Sequence, residues 1–365
     1  MPTCIRLLSA LLLAACVPTA FAAPSYSLTF FSPNPGYSPA GINNNGLVGG
    51  GWYMPDGASG AFTWQAGQLT HLPQEMYGVH GVGPAGHVVG YNRPTMENGV
   101  EVVRGAVYYQ GALTILPDAV QSPYFHYTQA YAANASGTVV ASTENSYGAT
   151  SFLWNNGTTT LLPIDYATAI NASGNVAGYS SPDEGVRRAQ LVINGQLVEL
   201  GLLPTDLSSD RRSSARDLND ANVAVGSSTY GSGSAVHEHS FIYVNGQMQV
   251  LGSYTGDNSA IAINNLGDVV GRFSTGWGLL NDHAYLYQDG VQYDLDTLLV
   301  GADGWHIRLP SDINDHGDIT AMACDANNVQ CLGVLLSPVP EPATYGMLLA
   351  GLGVLGWTRR RQSGA

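Results

Sequence analysis

One unit recurs seven times along most of the sequence, and this repetition is what most limits the possible folds. Its clearest copy, Ala260 to Leu295, has an apolar run ending in Ile263-Asn264, a turn closed by Gly267, a Val-Val-Gly triplet, an aromatic run and a second turn at Gly290. The asparagine or its equivalent, here called the anchor, recurs at intervals of 37 to 51 residues, at Asn43, Gly83, Asn134, Asn171, Asn219, Asn264 and Asn314. A repeat of this length is typical of stacked or circular arrays, including propellers with four-stranded blades.

Each copy predicts four short strands, a to d. Strand a leads into the anchor, b contains the Val-Val pair, c is the aromatic run and d follows the second glycine turn. The glycines supply the backbone freedom of tight hairpins, so each copy forms an antiparallel meander, and closing seven meanders into a ring hides their edges. Charged residues are only 11% of the chain and 45 residues are glycine, which agrees with an all-β protein.

The two ends of the repeat region predict how the ring closes. The seventh copy has strand a at 311–314, b at 318–323 and c at 332–336, but it stops without strand d. The strand-like segment 26–31 precedes the first copy. We therefore predict a seven-bladed β-propeller over residues 23–337, closed by pairing of this N-terminal strand with the last blade.

In such a meander the a–b and c–d turns share one side of the ring, the turn face, and the b–c and d–a loops share the other, the loop face. The turns are short and uniform, whereas loops such as 91–105 and 296–310 are long and varied. Ligands commonly bind to variable loops on a rigid scaffold. Aromatic rings stack on sugars and arginines bond their rims, so the candidate ligand face comprises Tyr124, Tyr127, Arg211, Trp277 and Trp305. Alternatively, these aromatics pack beneath their own loops.

The N-terminus predicts export. Residues 1–22 contain Arg6, a leucine and alanine run, and Ala20-Phe21-Ala22, which fits a secretory signal peptide. The alternative is a lipoprotein cleavage box ending at Cys16, which would be acylated. Outside the cytoplasm, Cys324 and Cys331 are expected to form a disulfide. Between the terminal segments nine arginines and no lysines face 26 acids, which argues against nucleic acid or anionic lipid as a partner.

Catalytic signals are few, and we expect neither an enzyme nor a metal or other cofactor. His237-Glu238-His239 lacks a visible third ligand, and the segments 264–268 and 314–318 resemble calcium loops but fall where the repeat needs a turn. Glycoside hydrolysis stays open because four acids lie in the predicted loops, and two facing carboxylates without an arginine at the channel mouth would favour it. Those acids are Asp206, Asp210, Asp282 and Asp303.

The repeat resembles the HAF family of extracellular repeats. His283-Ala284-Tyr285 nearly reproduces the His-Ala-Phe run, and residues 263–271 carry the upstream Ile-Asn-x-x-Gly-x-Val-Val-Gly pattern. The likeness extends over most of 26–336, although Gly83 and Asn222 depart from the pattern. The resemblance implies an exported β protein and no defined reaction.

The C-terminus, residues 338–362, resembles a PEP-CTERM sorting signal. Val339, Pro340, Glu341 and Pro342 precede an apolar segment, 343–357, that is followed by Arg359, Arg360 and Arg361. The apolar run is near the ~17-residue lower limit for a membrane-spanning helix, and the arginines would hold its end at the cytoplasmic surface. The resemblance implies cleavage by an exosortase in a Gram-negative bacterium. A permanent tail anchor is the alternative.

These observations predict an exported, non-enzymatic propeller at the outer surface or in the extracellular matrix, anchored transiently in the inner membrane through its C-terminal segment. Its expected partners are exosortase and exopolysaccharide, with a structural or adhesive role in biofilm. The alternatives are a glycan-acting hydrolase or lyase on a propeller scaffold, and a protein-binding propeller.

Overall fold

The structure is a computed structural model of the chain. It describes residues 23–340 except 121–125, 147, 182–185, 205–210, 232–236, 255, 276–281, 303 and 328. Within these residues lie 30 strands in seven sheets and one short turn of 3-10 helix, Leu295–Leu298. The prediction of an all-β, seven-bladed propeller with four-stranded blades is confirmed.

The N-terminal strand is β1 (Tyr26–Phe30), and blade 1 comprises β2 (Tyr37–Ile42), β3 (Val48–Tyr53), β4 (Ser59–Gln65) and β5 (Gln68–His71). Blade 2 comprises β6 (Met76–Val82), β7 (Val88–Asn92), β10 (Gly105–Tyr109) and β11 (Ala112–Ile115), and the hairpin β8 (Thr95–Glu97) and β9 (Val100–Val103) lies between β7 and β10 in the sequence. Blade 3 comprises β12 (His126–Ala133), β13 (Val139–Asn145), β14 (Gly148–Asn155) and β15 (Thr158–Leu161).

Blade 4 comprises β16 (Tyr166–Ile170), β17 (Val176–Ser180), β18 (Arg188–Ile193) and β19 (Gln196–Gly201), and blade 5 comprises β20 (Ser213–Leu218), β21 (Ala224–Tyr230), β22 (His237–Val244) and β23 (Gln247–Val250). Blade 6 comprises β24 (Asn258–Ile263), β25 (Val269–Ser274), β26 (Asp282–Gln288) and β27 (Val291–Asp294). Blade 7 comprises β28 (Trp305–Ile313), β29 (Ile319–Asp325) and β30 (Cys331–Pro338), with β1 as its fourth strand.

The N-terminal strand closes the ring, as the sequence predicts. β1 pairs antiparallel with β30, in a register that places Tyr26 opposite Pro338 and Phe30 opposite Val334. Tyr26 is buried in a core shared by blades 6 and 7, and its carbonyl accepts a hydrogen bond from Val300 N at 2.9 Å. The chain ends therefore complete one blade together, and blade 7 contains residues from both ends of the repeat region.

Two segments predicted as loops contain regular structure. Segment 91–105 includes the hairpin β8–β9, and β9 pairs in parallel with β12, so the sheet of blade 3 has six strands. Segment 296–310 includes most of the 3-10 turn and the first half of β28. That turn is fixed because Leu295 and Leu298 are buried in the core between blades 6 and 7.

A β-bulge interrupts every strand a, three residues before the anchor. In each case the pairing with strand b skips one residue, as between Ala260 and Ala262. The skipped residues are Ala40, His80, Tyr131, Thr168, Arg216, Ile261 and Ser311. A bulge bends its strand and re-aims a side chain, and all seven residues line the central channel.

Candidate functional site

The anchors form a belt of hydrogen bonds around the turn face. Each of the six anchor asparagines donates from Nδ2 to the backbone oxygen of the next anchor in the ring, at 3.0 to 3.3 Å. The Oδ1 atom caps its own turn; in Asn264 it accepts from Leu266 N and Asp268 N at 3.0 and 2.9 Å. Gly83 lacks the side chain that would continue the belt to Asn134. The anchors therefore serve to join the blades.

The two segments that resemble calcium loops belong to this belt. Their carboxylates, Asp268 and Asp318, accept from Nδ2 of Asn264 and Asn314, each at 3.1 Å. The Oδ1 atoms of both asparagines accept backbone N–H groups. One oxygen of each of these carboxylates and the Oδ1 of each asparagine therefore take part in the hydrogen bonds of the belt.

Two half-buried carboxylates line the central channel and join adjacent blades. Asp217 accepts from Leu218 N and Ile263 N, at 2.8 and 2.9 Å. Asp312 accepts from Ile313 N and Ile42 N, both at 2.8 Å. Burial raises the pKa of Asp217 to about 6, while burial and the charge of Asp217 raise that of Asp312 to about 7. Sequence reasoning missed both aspartates, because nothing in the repeat indicates that their positions lie between blades.

The loop face carries a polar pocket of about 290 Å³ between blades 4, 5 and 6, here called the arginine pocket. Its lining is Arg187, Arg212, Ser213, Ser214, Ser227, Thr229, His237, Glu238 and Asp257. Every one of these side chains is polar or charged. The pocket thus offers cationic donors, carboxylate acceptors and hydroxyl groups in one concave surface.

Internal contacts fix the walls of the arginine pocket. Glu238 N donates to Asp257 Oδ1 at 2.9 Å, and the Ser227 hydroxyl donates to the Glu238 carboxylate. The Arg187 guanidinium lies over the ring of Tyr179, with its carbon 5.2 Å from the ring centroid. Because residues from three blades meet here, the chemistry of the pocket depends on tertiary structure.

Of the five predicted ligand residues, the three that the structure describes belong to different blades. Tyr124 and Trp277 lie outside the described residues. Tyr127, in blade 3, donates from its hydroxyl to Glu101 Oε1 at 2.9 Å, and Trp305, in blade 7, packs edge-on against Phe30 with centroids 4.9 Å apart. Arg211 is exposed, and its carbonyl accepts a hydrogen bond from Arg188 beside the arginine pocket.

Trp52, another tryptophan of the loop face, packs against its own blade and is half-buried. The ring of Trp52 stacks on His71 at 4.9 Å, and a Cβ placed on Gly60 would lie 3.2 Å from the indole. Tyr53, in contrast, is 62% exposed at the end of β3. Tyr53 was not among the predicted ligand residues, and the structure places it in β3 rather than in the predicted b–c loop that begins at Gly50.

The structure shows the surroundings of the acids and histidines that the sequence analysis considered as catalytic or metal-binding residues. His237 Nδ1 lies 3.3 Å from Asp257 Oδ1, while His239 is buried 6.4 Å from His237 between ring centroids. The backbone carbonyl of Asp282 accepts a hydrogen bond from Arg308 Nη1 at 2.8 Å. Asp206, Asp210 and Asp303 lie outside the described residues. A separate group of potential metal ligands, His283, Asp294 and Asp296, meets at the loop face of blade 6, and sequence reasoning missed it.

The sequence beyond blade 7 leads into the predicted sorting segment. Cys324 and Cys331, opposite each other on β29 and β30, are joined by a disulfide. Val339 and Pro340 follow β30, and Val339 N donates to Ser25 O at 2.8 Å. Glu341, Pro342 and the arginines at 359–361 lie outside the described residues. Among the described residues, no helix is long and apolar enough to cross a membrane.

Residues 338–362 match the family described as the PEP-CTERM protein-sorting motif. The chain carries this sorting motif. The PEP-CTERM motif implies export to the cell surface and processing by exosortase, here for a protein whose scaffold is a propeller. No curated protein matches the sequence.

Three solved structures of low sequence identity to the chain illustrate its structural relatives. Pyrococcus horikoshii acylaminoacyl peptidase is 11% identical with a TM-score of 0.52, over 88% of this chain and 54% of the peptidase. The β-propeller domain of the Trilobed protease from Pyrococcus furiosus is 10% identical with a TM-score of 0.45, over 70% and 80%. A fucoside-bound Aleuria aurantia lectin is 10% identical with a TM-score of 0.38, over 87% and 95%. The chain spans about half the length of the acylaminoacyl peptidase, and that likeness concerns the fold alone.

Proposed function

We propose that this protein is a non-enzymatic component of the outer surface or extracellular matrix of a Gram-negative bacterium, with a structural or adhesive role in binding exopolysaccharide. The arginine pocket is the observation that carries the proposal. In this account the segment 343–357 anchors the chain transiently in the inner membrane until exosortase removes it.

The composition of the pocket supports a sugar ligand. Guanidinium groups donate to ring and hydroxyl oxygens or to sugar carboxylates, and the carboxylates of Glu238 and Asp257 accept from sugar hydroxyls. The pocket has an all-polar lining and a volume of about 290 Å³. Such a surface favours a hydrated, polyhydroxylated ligand over an apolar one.

The two channel acids, Asp217 and Asp312, support a binding role over hydrolysis. A retaining or inverting glycosidase needs two carboxyl groups with oxygens free to act on the substrate. Asp217 and Asp312 each use both oxygens to accept backbone N–H groups, one from the following residue and one from the next blade. Arg216 also lines the channel beside them.

The proposal is tested by measuring binding of the exported protein to a panel of bacterial exopolysaccharides, followed by size analysis of each bound polysaccharide. We expect binding that falls at least tenfold in Arg187→Gln and a polysaccharide of unchanged length. Arg93→Gln is the matched control because Arg93 lies on the loop face but lines a different pocket.

Other outcomes point to the competing functions. Shortened polysaccharide would make the protein a glycan-acting hydrolase or lyase. Binding that is equal in Arg187→Gln and Arg93→Gln would remove the arginine pocket from the site, and a complete lack of polysaccharide binding would favour a protein partner.

A further inference from the structure

Four potential metal ligands converge where blade 6 passes to blade 7 on the loop face. His283 lies near the start of β26, Asp294 ends β27, Asp296 lies in the 3-10 turn and His306 lies near the start of β28. His283 Nδ1 is 3.5 Å from Asp294 Oδ2 and 3.9 Å from Asp296 Oδ2. His306 Nδ1 is 2.8 Å from Asp296 Oδ2.

Hydrogen bonds hold both carboxylates so that one oxygen of each faces His283. Asp294 Oδ1 accepts from Asp296 N at 3.0 Å, which leaves Oδ2 towards the imidazole. Asp296 Oδ1 accepts from Ile307 N at 2.7 Å, and its Oδ2 lies between the two histidines. The donor atoms are therefore oriented by the backbone before any ligand binds.

The imidazole of His283 is also fixed, and its inward nitrogen lacks a hydrogen bond. The ring stacks on Phe273 at 5.1 Å between centroids, and Phe273 in turn stacks on Tyr254 at 3.8 Å. Nδ1 is buried and has no hydrogen-bond partner among the described residues. A buried polar nitrogen without a partner is unfavourable, so this atom is suited to ligate a cation.

We propose that His283, Asp294 and Asp296 bind one divalent transition-metal ion of the zinc type, with His306 as a positioning residue that orients Asp296. Ligands at ~2.0 to 2.2 Å from a tetrahedral metal lie roughly 3.3 to 3.6 Å from one another. The separation of 3.5 Å between His283 Nδ1 and Asp294 Oδ2 falls within this range, and the 3.9 Å to Asp296 Oδ2 exceeds it by a few tenths of an ångström. The three ligand atoms all lie within 4.8 Å of one another.

The donor set selects the class of ion. Calcium prefers about six to eight oxygen ligands, whereas one imidazole and two carboxylates suit zinc or a similar first-row ion that completes its shell with water. A histidine hydrogen-bonded to a ligating carboxylate is a common outer-shell arrangement. Nearby Arg308 adds positive charge, but its Nη1 donates to the carbonyl of Asp282.

The position of the site indicates a structural role. Asp296 belongs to the turn whose Leu295 and Leu298 enter the core of blades 6 and 7, and the same connection bonds to Tyr26 of the closing strand. A bound ion would tie strands c and d of blade 6 to this connection. It would therefore strengthen the junction where the N-terminal strand closes the ring.

The test uses the exported protein, stripped with EDTA, dialysed and titrated with zinc chloride by calorimetry, with Co²⁺ absorption spectroscopy as a second readout. We expect one Zn²⁺ per chain, a rise in melting temperature on binding, and a tetrahedral Co²⁺ spectrum. His283→Ala and Asp296→Asn should each weaken binding at least ~100-fold, and His306→Ala ~10- to 100-fold.

His237→Ala is the matched control, because His237 also faces a carboxylate, that of Asp257, at 3.3 Å on the neighbouring blade. It should leave zinc affinity unchanged, and circular dichroism should show that all variants are folded. A stripped wild type that binds no zinc would overturn the proposal. Zinc binding that survives in both His283→Ala and Asp296→Asn would also overturn it. Failure of polysaccharide binding would leave this result unaffected, because the two sites share no residue.

Discussion

The ring of Tyr285 occupies the space above Gly271, directly across the b–c strand pair. A Cβ placed on Gly271 would lie 2.4 Å from Tyr285 Cζ and 2.4 Å from the carbonyl oxygen of Ser259. The Tyr285 hydroxyl continues past the glycine to Ser240 Oγ of blade 5, at 2.8 Å. The glycine of the Val-Val-Gly triplet and the aromatic residue of strand c are therefore one structural unit, although 14 residues separate them.

This relationship recurs in other blades. A Cβ on Gly50 would lie 2.6 Å from the ring of Phe62, and one on Gly226 would lie 3.0 Å from the ring of Phe241. The cross-strand partners are the same as in blade 6. In these three blades the position is glycine because the aromatic side chain of strand c occupies the space that a Cβ atom would need.

We predict that Gly271→Ala destabilises the protein by at least ~2 kcal/mol, because the methyl group would overlap both the Tyr285 ring and backbone. Gly51→Ala is the control, since its Cβ would meet only Gly60 O, at 3.8 Å. That change should alter the free energy of unfolding by no more than ~0.5 kcal/mol. Urea unfolding of both variants measures the difference, and equal stability would contradict the packing account.

Asn171→Ala is expected to cost about 2 to 4 kcal/mol, because it removes several buried hydrogen bonds at once. Asn171 Oδ1 accepts from Ser173 N and Asn175 N at 3.1 and 3.0 Å. Its Nδ2 donates to Asn219 O at 3.1 Å, which joins blades 4 and 5. Thermal and urea unfolding should show the loss, whereas Asn45→Ala, at an exposed position of the first turn, should have little effect. Similar losses in both variants would deny the anchor its special role.

Replacing Gly83, the second anchor, with the asparagine of the other repeats should destabilise the protein. A Cβ on Gly83 would lie 2.7 Å from Ala133 O and 3.1 Å from Ala133 Cβ. Gly83→Asn should therefore reduce stability by ~1 to 3 kcal/mol, despite matching the other six anchors. Chemical denaturation distinguishes the outcomes, because a gain in stability would mean that blades 2 and 3 separate enough to admit the side chain.

The two channel acids should make stability fall as pH rises. Their native pKa values, about 6 for Asp217 and about 7 for Asp312, exceed the unfolded value of about 3.9. The native state therefore holds more protons than the unfolded state from about pH 4 to 7, and the associated stability is lost across that interval. The upper bounds are roughly 3 and 4 kcal/mol respectively, at about 1.4 kcal/mol per pKa unit.

Comparison with Asp312→Asn isolates this contribution from other carboxylates. The stability of the variant relative to the wild type should increase between pH 4 and 7.5, measured by urea unfolding at each pH. Asp315→Asn provides the opposite sign: partial burial raises the pKa of Asp315, but hydrogen bonds from Asn265 and Asn44 lower it overall. Its variant should therefore lose relative stability as pH rises through about 4. Parallel curves for Asp312→Asn and wild type would contradict the assignment.

Much of the fold follows from local sequence patterns. The spacing of the anchors and glycines specifies four hairpin-linked strands per unit, and the missing strand d after 332–336 leaves a vacancy that only the N-terminal strand fills. These features are readable because a hairpin is a local structure whose turn residues are adjacent in sequence. The bulges and the β8–β9 hairpin were less predictable, because pairing with another blade stabilises β9 and no local signal marks it.

The candidate sites divide in the same way. The sorting motif could be recognised from adjacent residues at 338–362, since a processing signal is read as an extended sequence. The loop-face aromatics could not be ranked by exposure from the sequence, because Trp305 packs against Phe30, which lies at the other end of the chain. Likewise, Asp217 and Asp312 appear ordinary until the ring places each beside the free backbone N–H of the next blade.

The sequence by itself determined that this protein is a closed ring of seven β-meanders with a C-terminal sorting motif, because repeat length, turn glycines and the terminal signal are local properties. Only the tertiary structure decided which polar groups meet. Arg187, Glu238 and Asp257 line one pocket because blades 4, 5 and 6 are adjacent. His283 and Asp296 face each other because strand c and the turn after strand d return to the same edge of blade 6. Such convergence depends on strand register and blade closure, which no short stretch of sequence encodes.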